Sequence, residues 1–251
     1  MNTVMITGCS SGFGLETARH FLDRGWTVVA TMRNPDPAVL PAADGLRLLR
    51  LDVTDSESIE NAVTEAGEID VLVNNAGIGW MNALEGTPLA TIREIFETNT
   101  FGVMAMMQAV LPQFRAKKSG VFVNVSSSVT LKSLPLLSIY TASKAAINAF
   151  TESVAIELAA FDIRACTVLP GRAMTTRFSQ TAQARMKDEG GFPEPYADFA
   201  ESILARMRAA PEGPTTEPQD VAEAIWRAAT DPDCPSPLPA GADAIAWANG
   251  G

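Results

Sequence analysis

The chain has 251 residues, 47% hydrophobic and 19% charged, with a formal net charge of −10. This is ample material for one large α/β core, and nothing in the composition suggests disorder. A chain so short of Lys and Arg is a poor match for nucleic acid or an anionic membrane.

Apolar runs and amphipathic stretches alternate from the start. Residues 4–7 form a short β-like run that ends in a Gly-rich turn, and 14–24 have helical spacing with Leu15, Ala18, Phe21 and Leu22 on one face. Residues 27–31 and 46–51 read as strands, 55–65 as a helix and 70–73 as a strand. A long pair of helical patterns fills 88–117, a strand 121–125, an Ala-rich helix 138–160 and a strand 163–169. Three prolines within 34–45 abbreviate any helix there. Residues 172–216 break the rhythm, with one helical piece near 196–208; a helix over 217–230 and a Pro/Gly-rich tail with room for a short strand follow. The order predicts a single-domain, doubly wound parallel α/β sheet of Rossmann type over 1–251, and the continuously apolar strands predict helices on both faces.

The turn Thr7-Gly8-Cys9-Ser10-Ser11-Gly12-Phe13-Gly14 lies between the first strand and the first helix. Glycine turns the chain cheaply there, and a helix N-terminus offers free N–H groups and a positive dipole end to a pyrophosphate. The spacing is Gly-x-x-x-Gly-x-Gly, not the commoner Gly-x-Gly-x-x-Gly, and a tight turn alone would also use glycines. Its place in a βαβ unit favours phosphate binding.

Tyr140 and Lys144 lie four apart, on one face of a predicted helix. Lowering a phenol by about three pKa units takes roughly 4 kcal/mol, which one cation about 4 Å away supplies at an effective dielectric near 20. Ser127 follows the strand 121–125, where a hydroxyl reaches the ligand crevice. Asn74-Asn75-Ala76-Gly77 follows the strand 70–73, and adjacent Asn and Gly often simply make a turn. Asn99 is an odd residue inside a helical region, and suggests a functional hydrogen bond with a helix irregularity, or an exposed site.

Together these residues resemble the short-chain dehydrogenases/reductases. The likeness rests on Thr7-Gly8-x-x-x-Gly12-x-Gly14, Asp52-Val53, Asn74-Asn75-Ala76-Gly77, Asn99, Ser127, Tyr140-x-x-x-Lys144 and Pro170-Gly171, in order, over the chain to about residue 176. The resemblance implies a catalytic tetrad of Asn99, Ser127, Tyr140 and Lys144, with Ser127 chosen among Ser126-Ser127-Ser128 for its thirteen-residue separation from Tyr140. It makes Tyr140 the proton donor, Ser127 the holder of the carbonyl oxygen, Lys144 the ribose ligand that depresses the Tyr140 pKa, and Asn99 the holder of a relay water. It further implies that Asp52 and Val53 contact the adenine, that Asn74, Ala76 and Gly77 line the dinucleotide, and that Pro170, Gly171 and then Thr175 or Thr176 touch the carboxamide or phosphates. Ala30-Thr31-Met32-Arg33-Asn34 is similar to steroid- and retinol-type members and their bacterial relatives.

Charge at the end of the second strand selects the cofactor. NAD users often place an acid there, whereas this chain has Met32 and then Arg33, whose guanidinium suits a 2′-phosphate and has no nearby acid opposing it in the sequence. Ser10, Ser11 and Asn34 add donors, although Ser11 stands where many NADP users have a second basic residue. NADP(H) is therefore favoured over NAD(H).

Met, Phe and Tyr residues of 172–215, together with Trp80 and Leu134, Leu136 and Leu137, suggest an apolar pocket under a lid, or simple packing. They point to a bulky or apolar ketone, aldehyde or secondary alcohol. The one histidine, His20, argues against His-based hydrolysis and His-ligated zinc, and no metal site is expected. The odd set of three cysteines suits reduced thiols in the cytoplasm. Neither a signal peptide nor a membrane span is expected. By the resemblance, the helices near 99–117 and 140–160 pair copies as homodimers or homotetramers. An epimerase or dehydratase, or a non-catalytic NADP(H) sensor, is the competing reading; the four tetrad residues count against a sensor.

Overall fold

The structure is a computed structural model that describes residues 2–172, 177–209, 213 and 215–250. Strands β1 (Thr3–Ile6), β2 (Thr27–Met32), β3 (Leu46–Arg50), β4 (Val71–Asn74), β5 (Gly120–Val125), β6 (Ile163–Pro170) and β7 (Leu238–Ala240) form one parallel sheet in the order β3-β2-β1-β4-β5-β6-β7. Successive strand side chains point to opposite faces. Val4, Ile6, Val28, Ala30, Val73 and Val123 pack on one side against Phe21 of α1 (Gly12–Asp23) and Ile225 of α8 (Pro218–Thr230). Met5, Val29, Leu72 and Phe122 pack on the other, against Ile59 of α2 (Ser56–Ala66), Met106 of α4 (Gly102–Lys117) and Ile147 of α5 (Ser138–Leu158). Two dry faces explain the continuously apolar strands.

The strand order reverses at β1, which pairs with β2 on one side and β4 on the other. A crevice opens at such a point, beyond the carboxyl ends of the strands. The Gly-rich turn, the Asn-Asn-Ala-Gly loop, the serine run and Pro170-Gly171 all leave the sheet from that edge.

The long helical pattern over 88–117 is α3 (Leu89–Phe96), a π-helical segment (Glu97–Phe101) and α4. Asn99 lies in the π segment, as its poor helix propensity suggests.

Two helices depart from the sequence reading. Residues 172–216 carry α6 (Arg177–Asp188) as well as α7 (Ala197–Ala209), where one helical piece was expected. Phe178, Ala182 and Met186 recur at helical spacing in α6, but the rest of the segment is polar, and what holds it is distant in sequence. Arg185 pairs with Glu94 at 2.6 Å and Glu189 at 2.9 Å, and its guanidinium lies over the Trp80 ring. The tail carries α9 (Ala242–Ala248) beyond β7, an Ala-rich turn of helix hidden by its Pro/Gly-rich surroundings. Trp80 and Met186, read as possible pocket lining, are buried against Ile95.

Candidate active site

The Gly-rich turn is built by contacts from far along the chain. The Thr7 hydroxyl accepts from the backbone N–H groups of Asn75 (3.0 Å) and Ala76 (2.9 Å), while the Asn75 amide donates to the carbonyls of Thr7 (2.9 Å) and Gly8 (3.2 Å). Gly8 has φ +77°, and a Cβ there would lie 2.8 Å from Ala76 Cα. A Cβ at Gly14 would overlap both the Asn75 side chain and the Gly8 carbonyl. These glycines therefore admit the neighbouring loop, a role beyond close approach to a ligand. Sequence reasoning missed Asn75 because the run Asn74-Asn75-Ala76-Gly77 reads as a turn. Gly14→Ala is expected to lose measurable dinucleotide binding and to lower the melting temperature by several degrees, since neither Gly8 nor Asn75 can move without opening the turn; calorimetry and equilibrium dialysis check this.

The first turn of α1 is left open. Its N-cap Ser11 makes no side-chain capping bond and the turn holds no acid, whereas α2 is capped by Asp55, which accepts from the Glu57 and Ser58 N–H groups. Free N–H groups and the positive dipole end thus remain available to an anion. Ser10 is exposed, and Ser11, Gly12 and Phe13 are half-buried around this turn.

Arg33 is exposed just past β2. Asp52 lies past the adjacent β3, its carboxylate accepting from the Thr54 N–H (3.0 Å) and hydroxyl (2.8 Å). Burial pushes this carboxyl up, but the Thr54 bonds and then the charges of Arg33 and Arg50 outweigh it and hold it below the usual range. An acid therefore does stand near Arg33, through the β2–β3 pairing, which the local sequence does not show. Val53 is buried against Gly102 at the start of α4.

Asn74 is buried, and its amide donates to Asn124 Oδ1 at 2.9 Å; Asn124 in turn donates to Thr151. Its side chain is thus tied to β5, and Ala76 and Gly77 carry the loop past the crevice. Asn99 accepts from the Ile78 N–H (2.8 Å) and donates to the Ile78 carbonyl (2.9 Å) and Ser143 Oγ (3.1 Å), clamping the loop to α5. Gly77 lies between two polar groups: a Cβ there would be 3.2 Å from Asn99 Oδ1 and 3.3 Å from Lys144 Nζ.

Tyr140 and Lys144, one turn apart on α5, and Ser127, at the exit of β5, come together. All three are buried. Burial dominates at the Tyr140 phenol and pushes it up to about 12, against a smaller downward pull from the neighbouring Ser127 hydroxyl. Burial brings the Lys144 ammonium down to about 8, and Nζ donates to the Val125 carbonyl at 2.9 Å. The expected depression of Tyr140 by Lys144 is thus absent: desolvation moves both groups toward their neutral forms. The Phe178 ring of α6 lies 5.7 Å from the Tyr140 ring and against Gly79.

Residues 2–187 match the family profile described as short chain dehydrogenase. The chain belongs to the short-chain dehydrogenases. It is 39% identical over 236 residues to human retinol dehydrogenase 8, covering 89% of this chain and 76% of that protein. A crystal structure of a short-chain dehydrogenase from Streptomyces avermitilis superposes with a TM-score of 0.82 at 33% identity, covering 99% of this chain and 91% of that one. A closed form of serine dehydrogenase complexed with NADP+ gives 0.80 at 26% identity, covering 96% and 95%. This short-chain dehydrogenase is accordingly an oxidoreductase of the CH–OH/C=O class.

A nicotinamide dinucleotide fits the residues of this short-chain dehydrogenase. The uncapped first turn of α1 suits a pyrophosphate. Among the described residues Lys144 Nζ has one acceptor, Val125, for its three N–H groups, which leaves donors for ribose hydroxyls. Gly171 leaves β6 at the same edge, its N–H donating to the Ala240 carbonyl. Thr175 and Thr176 lie outside the described residues. Among the described residues no cluster of His, Cys, Asp or Glu could hold a metal ion, and no helix is long and apolar enough to cross a membrane.

Proposed function

We propose that this enzyme interconverts a bulky, apolar aldehyde or ketone and its alcohol, using NADP(H). The observation that carries the proposal is the convergence of Ser127, Tyr140 and Lys144 in a buried site beneath Phe178. When bound, the nicotinamide supplies or accepts the hydride. Burial keeps the Tyr140 phenol protonated through the physiological range, so it holds the proton a carbonyl oxygen would take, while the same burial makes it a weaker acid than a free phenol. Ser127 orients that phenol and is placed to hold the same oxygen. Lys144 binds the ribose and Asn99 fixes the loop that Gly77 belongs to. Gly8, Ser10, Ser11, Gly12, Phe13 and Gly14 surround the pyrophosphate, and Asp52, Val53 and Ala76 the adenine side.

The excursion over 172–215 is the substrate-binding lid of a single domain. Phe178 against Tyr140 supports this, and so does the likeness to a retinol dehydrogenase. The chain works as a homo-oligomer; the exposed apolar side chains of Phe101 and Ile156, in and beside the α4 and α5 region, support pairing there. The specificity constants for all-trans-retinal and long-chain or aryl ketones should exceed those for small polar carbonyls; a preference for glyceraldehyde or sugars over all of them would reject the apolar pocket.

For the cofactor, the exposed Arg33 guanidinium supports NADP(H), and a 2′-phosphate would meet it beside Asp52, whose charge limits the selectivity. Arg33→Ala is expected to weaken NADPH about tenfold or more and NADH by less than about twofold, in line with the loss of one charge-assisted contact. Equal weakening of both cofactors in a titration of nicotinamide fluorescence would remove the assignment.

A further inference from the structure

We propose that Asp243 is a positioning residue: it staples together the two ends of the 172–216 excursion and thereby sets where Phe178 meets Tyr140. This rests on the reading of that excursion as the substrate lid. Asp243 sits on α9 and is buried. One carboxylate oxygen accepts from the Arg172 N–H at 2.6 Å, at the start of the excursion, and the other accepts from Thr216 Oγ1 at 2.5 Å, at its end. The two ends also meet directly, the Thr216 N–H donating to the Arg172 carbonyl at 3.2 Å. Two glycines make room. A Cβ at Gly171 would overlap both Asp243 Oδ1 and Thr216 Oγ1, and one at Gly241, where φ is +94°, would overlap Thr216.

A carboxylate taken from water is costly unless its oxygens are satisfied, and here both are taken up by the two ends of one excursion. Residue 172 lies only six positions before Phe178, so a shift at this neck reaches the ring that lies over Tyr140. Asparagine can replace the staple. Its carbonyl can accept from Arg172 while its amide donates to Thr216 Oγ1, whose own proton then turns to the Ala240 carbonyl, 3.2 Å away. Alanine can do neither.

The test is Asp243→Ala against Asp243→Asn, read in two ways. With all-trans-retinal, or the fastest carbonyl of the panel, alanine should raise KM about tenfold and leave kcat within about threefold, while asparagine stays near wild type. In hydrogen exchange of the cofactor-free protein, alanine should speed the amides of α6 and leave those of β1 and β4 unchanged. If alanine prevents folding, Thr216→Val carries the same expectations at smaller size. Wild-type KM and α6 exchange in the alanine variant would overturn the staple, as would asparagine behaving like alanine. Absence of any carbonyl turnover by the wild-type protein would instead count against the functional reading, and the exchange experiment would still judge the staple.

Discussion

Tyr140→Phe is expected to lower kcat about a thousandfold while leaving dinucleotide affinity and melting temperature near wild type. The substitution removes one oxygen from a ring that is already buried beside Phe178, so packing is kept. What is lost is the hydroxyl proposed to hand its proton to the carbonyl oxygen, and general acid–base groups typically contribute about 10²–10⁴-fold. Ser127 cannot replace it: an aliphatic hydroxyl is a far weaker acid than a phenol, and its oxygen already accepts from the Val129 N–H. Steady-state turnover and cofactor titration together make the check. Retention of more than a tenth of the wild-type kcat would mean that another group carries the proton.

Lys144→Met separates function from stability. Lys144 is 4% exposed, and its ordinary value of 10.5 is brought down to about 8 by burial. Between pH 8 and 10.5 the unfolded chain holds a proton that the folded chain has released, so stability from this group rises with pH across that window. Below pH 8 the full cost of a buried charge is present, offset by one hydrogen bond to Val125. Methionine fills a similar volume without the charge. The variant should lose about a hundredfold or more in turnover, as expected when a group that orients the cofactor is removed, yet melt a few degrees above wild type at pH 7. That margin should shrink as pH rises toward 10.5. A variant that melts lower at every pH would show that the lysine supports the fold and is not held there against it.

Much of this arrangement is legible in the sequence. The strands stand out because a sheet covered on both faces leaves them continuously apolar, and α1, α2, α5 and α8 because each lays an apolar stripe on it. Asn99 signals its irregularity by residue type alone. The parts that escape depend on partners remote in sequence. Asn75 acts on Thr7 and Gly8, Arg33 meets the field of Asp52 only once β2 and β3 pair, and α6 is held by Glu94 and Trp80. Asp243 gives no signal in an Ala-rich tail until Arg172 and Thr216 close on it. The protonation states also lie beyond local pattern: Tyr-x-x-x-Lys implies a lysine that lowers a phenol, whereas the depth at which both are buried makes desolvation the larger effect.

The central claim is hydride transfer between NADP(H) and a carbonyl carbon, with Tyr140 supplying the proton. Its most direct test uses NADPH carrying deuterium at both C4 positions of the nicotinamide, a reducible carbonyl such as all-trans-retinal, and mass spectrometry of the alcohol formed. The account predicts one deuterium on the carbinol carbon per NADPH consumed, with labelled alcohol formed about a thousandfold more slowly when Tyr140→Phe replaces the wild-type protein. NADPH bound but not consumed across the panel, or an alcohol whose new carbon-bound hydrogen comes from water, would contradict it.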